Sequence, residues 1–209
     1  MIELERYVQY FRDVDFTPSG TSICRSTDRG VYLPSNPVHI LIGLSCLLEA
    51  GAISKSDKFL DAGSGDGRVT IGASLLGLDA TGVEYDPHLI ALARYHATQI
   101  NVNPTFLQGD FTSDETFYPG NFTDFGVVYN FINNERDIAA KIANESPVGT
   151  KFVLYGHMDD KTLPGLDYQF GFKHHDFKTP VNPISPRIGI FHIYRKLPAK
   201  RALAPAARL

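Results

Sequence analysis

The sequence predicts an α/β protein built on one seven-stranded sheet, mostly parallel, with an antiparallel terminal strand and helices on both faces. Two observations carry this prediction. Apolar runs of strand length alternate with segments of helix length from residue 59 to residue 155. Two further runs near the end of the chain, Tyr168 to Lys173 and Ile188 to Tyr194, alternate like a pair of antiparallel strands.

The first elements precede the sheet. Residues 2–12 place Leu4, Val8 and Phe11 on one side of a helix, and residues 14–30 form a polar connection rich in Ser and Thr. Asn36 and Pro37 then begin a second helix, because Asn caps a helix and Pro fits its first turn. Its broad apolar face continues to Gly51.

The central part of the chain supplies most of the sheet. The pattern predicts strands at 59–62, 80–84, 105–108, 124–129 and 150–155, and helices at 67–76, 87–100 and 133–145. This alternation of strand and helix predicts parallel strands joined by right-handed crossovers.

The chain divides into three parts. We expect an N-terminal helix and covering segment at 1–35, a single α/β domain at 36–195, and a disordered tail at 196–209. A Pro-rich connection at 179–186 joins the last two strands.

Composition is ordinary for one globular domain, with 209 residues, 43% hydrophobic and 21% charged. The net charge of −3 supplies no field that would attract nucleic acid, so a nucleic-acid partner is not expected. Cys24 and Cys46 lie in unlike contexts and suggest no disulfide framework, and no run of eighteen apolar residues predicts a membrane span. These features favour a cytoplasmic protein.

The segment from Phe59 to Arg68 is the most informative of the chain. An apolar strand ends in Asp61, and Gly63, Gly65 and Gly67 then open a helix. Glycines let backbone N–H groups approach a ligand, and the positive end of the helix points to the same place. The dinucleotide fingerprint needs its third glycine one position later, where this chain has Arg68, so a pyrophosphate ligand is disfavoured.

Two more acids follow at the ends of the next strands. Glu84 ends the second strand, and Asp110 follows the third. In a doubly wound sheet the carboxyl ends of adjacent strands line one crevice, so Asp61, Glu84 and Asp110 should lie together. Glu84 alone would suit the ribose of NAD as well as that of S-adenosylmethionine, and a nicotinamide oxidoreductase or a non-catalytic cofactor-binding protein stays open at this point.

With these three motifs in order, the sequence resembles the class I S-adenosylmethionine-dependent methyltransferases, which have a Rossmann-like sheet. The resemblance implies that the loop from Asp61 to Gly67 faces the methionine moiety, Glu84 the ribose and Asp110 the adenine amino group. The residues expected to contact the cofactor are Tyr32, Pro34, Asp61, Gly63, Ser64, Gly65, Gly67, Glu84, Tyr85, Asp110 and Phe111.

Three segments indicate which group of these methyltransferases the sequence resembles. They are Tyr32-Leu33-Pro34-Ser35, Gly65-Asp66-Gly67-Arg68 and Gly82-Val83-Glu84. Together they resemble the compact seven-strand protein lysine methyltransferases of archaea and mitochondria. The resemblance covers roughly residues 30 to 158 and implies a protein lysine as methyl acceptor, whereas a small molecule with an oxygen or nitrogen acceptor is the alternative.

The residues that would contact the methyl acceptor are predicted from the end of the fourth strand, and we call this part of the site the acceptor side. Tyr129 and Asn130 lie where the methyl acceptor is usually met, and Tyr32, Tyr129 and Phe131 would form an aromatic mouth. The predicted catalytic residues are Tyr129, Asn130 and His157, with His157 as a base for an alcohol acceptor. The pair His174-His175 lacks the spacing of a helical metal site, and no metal is expected.

Overall fold

The computed structural model describes residues 2–15, 25–27, 30–112, 122–131, 134–158, 161–175 and 188–198. The helices are α1 Ile2–Asp15, α2 Pro37–Glu49, α3 Arg68–Leu75, α4 Pro87–Ile100 and α5 Glu135–Glu145. The strands are β1 Arg25–Thr27, β2 Gly30–Tyr32, β3 Lys58–Ala62, β4 Asp79–Glu84, β5 Thr105–Gln108, β6 Val127–Phe131, β7 Lys151–Tyr155, β8 Leu166–His175 and β9 Ile188–Lys196.

One seven-stranded sheet organises the protein, in the order β5-β4-β3-β6-β7-β9-β8. The first five strands in this order pair in parallel, and β9 inserts antiparallel between β7 and β8. The strand order reverses between β3 and β6, which is where open α/β sheets bind ligands. The predicted fold is confirmed.

Both faces of the sheet are covered. On one face, α2 and α3 pack on Phe59, Val127 and Val153, and on the other, α5 packs on Val128 and Phe152. Burial of these apolar side chains is the main force that holds the layers together. The helix α1 adds Tyr7 and Phe11 to a cluster shared with α3 and α4, and both side chains are fully buried.

Local signals fix where two helices begin. The Asn36 side chain accepts hydrogen bonds from the backbone N–H groups of Val38 and His39, as predicted for a cap of α2. Asp86 does the same for α4, with Pro87 in the first turn. Each cap satisfies N–H groups that have no partner within their own helix.

Several boundaries differ from the prediction. Residues 25–32 include the hairpin β1–β2, not only polar connection, and α1 continues to Asp15. The strand expected from 124 begins at Val127, because residues 122–124 form a turn and the Gly126 N–H donates to the Lys58 carbonyl. The Pro-rich connection at 179–186 lies outside the described residues, as do residues 199–209 of the tail expected at 196–209, whereas Lys196 is the last residue of β9. Within the described part of the chain, no helix has the length and apolar character needed to cross a bilayer.

Candidate functional site

A cavity of about 320 Å³ opens at the carboxyl ends of β3, β4 and β6. The predicted residues that line it are Tyr32, Asp61, Gly63, Ser64, Glu84, Tyr85, Asp110, Phe111, Tyr129 and Asn130. The structure therefore brings together most of the residues that sequence reasoning had selected. Pro34, Gly65, Gly67 and His157 are not among the lining residues.

The glycine turn supports the cavity from below. Gly65 has φ of +55°, and a Cβ built there would lie 2.5 Å from Cε2 of Tyr32. Gly67 has φ of +81°, and a Cβ would lie 2.7 Å from both the Ala93 Cβ and the Phe106 ring. Both glycines are therefore required for conformation and for close packing. They shape the wall without forming its surface.

Glu84 fastens this turn to the second strand of the site. Its carboxylate accepts a hydrogen bond from the Gly65 N–H at 2.9 Å and another from the Asp86 N–H at 2.9 Å. Because both contacts come from backbone donors, the carboxylate is held in a fixed position at the cavity wall.

Asp61 lies deeper, with 2% of its surface exposed. The Thr70 hydroxyl donates to its Oδ2 at 2.7 Å. Burial raises the pKa of Asp61 to about 7, with the Thr70 hydrogen bond opposing the rise and the charge of Glu84 adding to it. The end of β3 thus carries a carboxyl group that titrates near neutral pH.

Asp110 and Phe111 form the wall beyond β5. The backbone N–H and the hydroxyl of Thr112 both donate to Asp110 Oδ1. The Phe111 ring lies against the turn, 3.4 Å from the position of a Cβ on Gly63. Asp61, Glu84 and Asp110 consequently surround one volume, as the three motifs predicted.

Arg68 has a role that sequence reasoning missed. Its side chain is 2% exposed, and its guanidinium donates to the carboxylates of Asp15 and Asp66 and to the Ser35 carbonyl. The Phe11 ring packs 4.8 Å from the guanidinium carbon. Although burial opposes it, Arg68 holds the pKa of Asp66 below its ordinary value. A cation in the first turn of a helix is electrostatically unfavourable, and the carboxylates of Asp15 and Asp66 offset this cost at Arg68.

The acceptor side combines aromatic and amide groups. Tyr32, Tyr129 and Phe131 all line the cavity, together with Asn130. The Asn130 amide nitrogen donates to the Ala62 carbonyl at 2.7 Å, which fixes the direction of the side chain. Tyr129 is 1% exposed, and burial together with the charge of Asp61 raises the pKa of its hydroxyl. The hydroxyl is therefore neutral at physiological pH.

Three buried polar atoms on the cavity wall lack a hydrogen-bond partner within the described residues. They are the hydroxyl oxygens of Tyr32, Ser64 and Tyr129. A buried polar group without a partner costs free energy, so such groups indicate where a ligand completes the hydrogen bonds. Three of them around a glycine turn and three carboxylates fit a polar nucleoside cofactor with a charged tail.

His157 lies outside this site. The preceding Gly156 has φ of +135°, and its N–H donates to the Ile190 carbonyl, which continues the pairing of β7 with β9 beyond Tyr155. His157 is exposed and does not line the cavity. Pro34 also lies off the wall, whereas its neighbours Leu33 and Ser35 contribute to it.

Comparison with known proteins agrees with this geometry. Residues 60–145 match the family model described as a methyltransferase domain. The chain has the methyltransferase fold. Among solved structures, an RNA methyltransferase from Salinibacter ruber in complex with S-adenosyl-L-homocysteine is 21% identical over 80% of this chain and 95% of that chain, with a TM-score of 0.55. Magnesium protoporphyrin IX methyltransferase from Synechocystis, with its cofactor bound, is 12% identical over 77% of this chain and 80% of that one, with a TM-score of 0.56.

A curated relative matches a shorter segment. The ribosomal protein L11 methyltransferase of Thermus thermophilus is 40% identical over 63 residues, which are 30% of this chain and 25% of that enzyme. The match therefore spans about a quarter of the relative. The methyltransferase fold and domain match agree with the enzyme class and cofactor predicted from the sequence, while these relatives differ from one another in what they methylate.

Proposed function

We propose that this protein is an S-adenosylmethionine-dependent methyltransferase. The observation that carries the proposal is the convergence of the glycine turn, Asp61, Glu84 and Asp110 on one cavity that also holds three unpartnered buried hydroxyls. A nicotinamide enzyme fits less well, because Arg68 occupies the position where a dinucleotide turn needs glycine.

Each wall of the cavity suits one part of the cofactor. Glu84 would accept hydrogen bonds from the ribose hydroxyls, and Asp110 would accept one from the adenine amino group. The glycine turn, together with Asp61, would hold the methionine moiety. When bound, S-adenosylmethionine supplies a methyl group on a positively charged sulfur. The carboxylate of Asp61 would stabilise this positive charge, and the Ser64 hydroxyl would gain the partner it lacks.

We propose a protein lysine amine as the acceptor. Support comes from the aromatic mouth of Tyr32, Tyr129 and Phe131 and from the resemblance of the motifs at 32–35 and 65–68 to lysine methyltransferases. An ammonium that enters an aromatic mouth loses water, and this loss favours the neutral amine that can attack a methyl group. No base on the cavity wall is needed, since the proton can leave to solvent.

Asn130 and Tyr129 would orient this amine. The amide of Asn130 is fixed by Ala62, and the neutral Tyr129 hydroxyl, which also lines the cavity, is available as a hydrogen-bond partner. Holding the lone pair in line with the methyl carbon is the largest contribution that a methyltransferase makes, because the leaving group is already good. A small-molecule acceptor remains the alternative outcome of the test below.

The test has two stages. Calorimetric titration with S-adenosylmethionine and with NADH should show binding of the first only, and the reverse result would refute the enzyme class. Incubation of a cell lysate with the protein and methyl-labelled cofactor should then place label in protein lysines. Label confined to small molecules would replace the lysine acceptor with the alternative.

The variant Tyr129→Phe distinguishes orientation of the methyl acceptor from binding of the cofactor. We expect it to lower the transfer rate roughly tenfold while leaving the affinity for S-adenosylmethionine within about twofold, because it removes one hydroxyl from the acceptor side. Tyr95→Phe is the matched control, since Tyr95 is exposed on α4 and away from the cavity. Equal rates for both variants would remove Tyr129 from the mechanism.

A further inference from the structure

The charges on the cavity wall are unbalanced. Five acidic residues line it, Asp61, Asp66, Glu84, Asp110 and Asp137, whereas Arg68 is the single basic residue among the described residues that do so. All the hydrogen-bond donors of Arg68 are directed to Asp15, Asp66 and Ser35. The cavity therefore presents excess negative charge to a ligand.

Four of these acids have partners within the protein. Asp66 pairs with Arg68, and Asp61 accepts from Thr70. Glu84 accepts from two backbone N–H groups, and Asp110 accepts from Thr112. Asp137 differs, because no hydrogen bond or ion pair engages it within the described part of the chain.

Asp137 also lies on a different wall. It is an exposed residue in the first turn of α5. Two residues that precede it in the chain also line the cavity, Phe131 at the end of β6 and Asn134 before α5. This is the side of Tyr129 and Asn130, away from the strands β4 and β5 that carry Glu84 and precede Asp110. The unpartnered hydroxyl of Tyr129, which is almost completely buried, lines the same cavity from the face covered by α2 and α3 and independently indicates a ligand there.

We propose that Asp137 determines acceptor specificity by attracting a cationic amine to the mouth of the cavity. This inference rests on the proposed function and specifies the charge of its acceptor. A carboxylate at the rim raises the local concentration of cations and speeds their encounter, and the effect weakens with added salt. Asp137 is thus a binding residue for the ammonium form, and Tyr129 and Asn130 orient the amine after it loses its proton.

The competing explanation is that Asp137 only stabilises α5. Acids in the first turn of a helix interact favourably with its positive end. The chain offers a matched control, because Glu135 lies in the same turn, carries the same charge and does not line the cavity. Glu135→Gln should reproduce any effect that comes from the helix alone.

The experiment uses fluorescent octalysine as the probe. Its affinity for the full chain, with saturating S-adenosyl-L-homocysteine, is measured by anisotropy at low and high salt, and its methylation is followed with labelled cofactor. We expect Asp137→Asn to weaken octalysine binding and raise KM about fivefold at low salt, in keeping with the modest strength of an exposed charge pair. The rate constant kcat and the affinity for S-adenosylmethionine should stay unchanged, and Glu135→Gln should match the wild type.

Each other outcome has a distinct meaning. Equal effects of Asp137→Asn and Glu135→Gln, or none for either, would overturn the role of Asp137. A wild-type protein that binds S-adenosylmethionine but neither binds nor methylates octalysine would overturn the cationic acceptor while leaving the methyltransferase proposal standing. A wild-type protein that fails to bind S-adenosylmethionine would refute the proposed function itself.

Discussion

The carboxyl group of Asp61 makes a quantitative prediction about stability. Its pKa rises from 3.8 to about 7 in the folded protein, mainly because it is buried. Such a shift corresponds to about 4 kcal/mol of free energy between the two protonation states. Because the folded state binds this proton more tightly than the unfolded state, the group's stabilising contribution is complete below about pH 4 and is lost as the pH rises through about 7.

Asp61→Asn removes this titration and keeps an oxygen that can accept from the Thr70 hydroxyl. We expect the free energy of unfolding of the variant to equal that of the wild type near pH 4 and to exceed it by up to about 4 kcal/mol near pH 8. Urea unfolding of both proteins at several pH values measures the difference, in which the titrations of groups that do not interact with Asp61 cancel. A difference that stays constant from pH 4 to pH 8 would refute the reasoning.

The protonation state of Asp61 should also control the affinity for the cofactor, which should rise with pH over the range in which stability falls. If Asp61 stabilises the positive charge of the methionine moiety, binding of S-adenosylmethionine requires the ionised carboxylate. Affinity should then fall about tenfold for each pH unit below 7, and the Asp61→Asn variant should bind weakly with no such dependence. Calorimetry from pH 5.5 to pH 8 checks this, and a parallel pH profile in the two proteins would contradict it.

Three further substitutions test the neighbouring contacts. Glu84→Gln should weaken S-adenosylmethionine binding about thirtyfold, or roughly 2 kcal/mol, because charge-assisted hydrogen bonds are lost; Asp79→Asn at the exposed start of β4 is the control, and equal calorimetric affinities would disprove the ribose assignment. Gly65→Ala should lower affinity more than tenfold with native far-UV dichroism, since its Cβ displaces Tyr32, whereas Gly51→Ala has similar backbone strain with open space around it and should bind normally. Arg68→Met should reduce the free energy of unfolding, measured in urea, by about 4 kcal/mol because it leaves two carboxylates without their cation. Lys151→Met, which breaks a partly exposed ion pair, is the control. A loss for Arg68→Met no larger than that of the control would argue against a stabilising role of the contacts among Arg68, Asp15 and Asp66.

The sequence predicted those features of the fold that depend on local chemistry. Apolar periodicity located the strands of the sheet, and Asn36 with Pro37 located the start of α2, because a cap needs only its own neighbours. The short hairpin β1–β2 was missed because three-residue strands carry too little pattern. Likewise, the periodicity could not show that His157 lies off the cavity wall, because it does not fix the direction of a side chain that follows a strand.

For the residues of the site, too, the sequence predicted local features but not contacts between distant parts of the chain. The three acids were found because each follows a strand, and parallel strands bring their carboxyl ends to one edge. The partner of Arg68 was not found, because Asp15 lies 53 residues earlier in the chain and no spacing rule links them. Sequence reasoning placed Tyr129 on the acceptor side but did not anticipate that its side chain would be almost completely buried.

The contact between Arg68 and Asp15 makes the cofactor turn dependent on the docking of α1. The turn and its helix α3 can form from adjacent residues, but their buried cation is neutralised in part by a carboxylate at the far end of α1. The contact joins residues 53 positions apart, so it exists only when α1 is packed against α3. Without docked α1, Arg68 keeps one of its two carboxylate partners and the turn is incomplete. Cofactor binding should accordingly require docked α1, and stopped-flow refolding should show binding only after α1 has packed against α3.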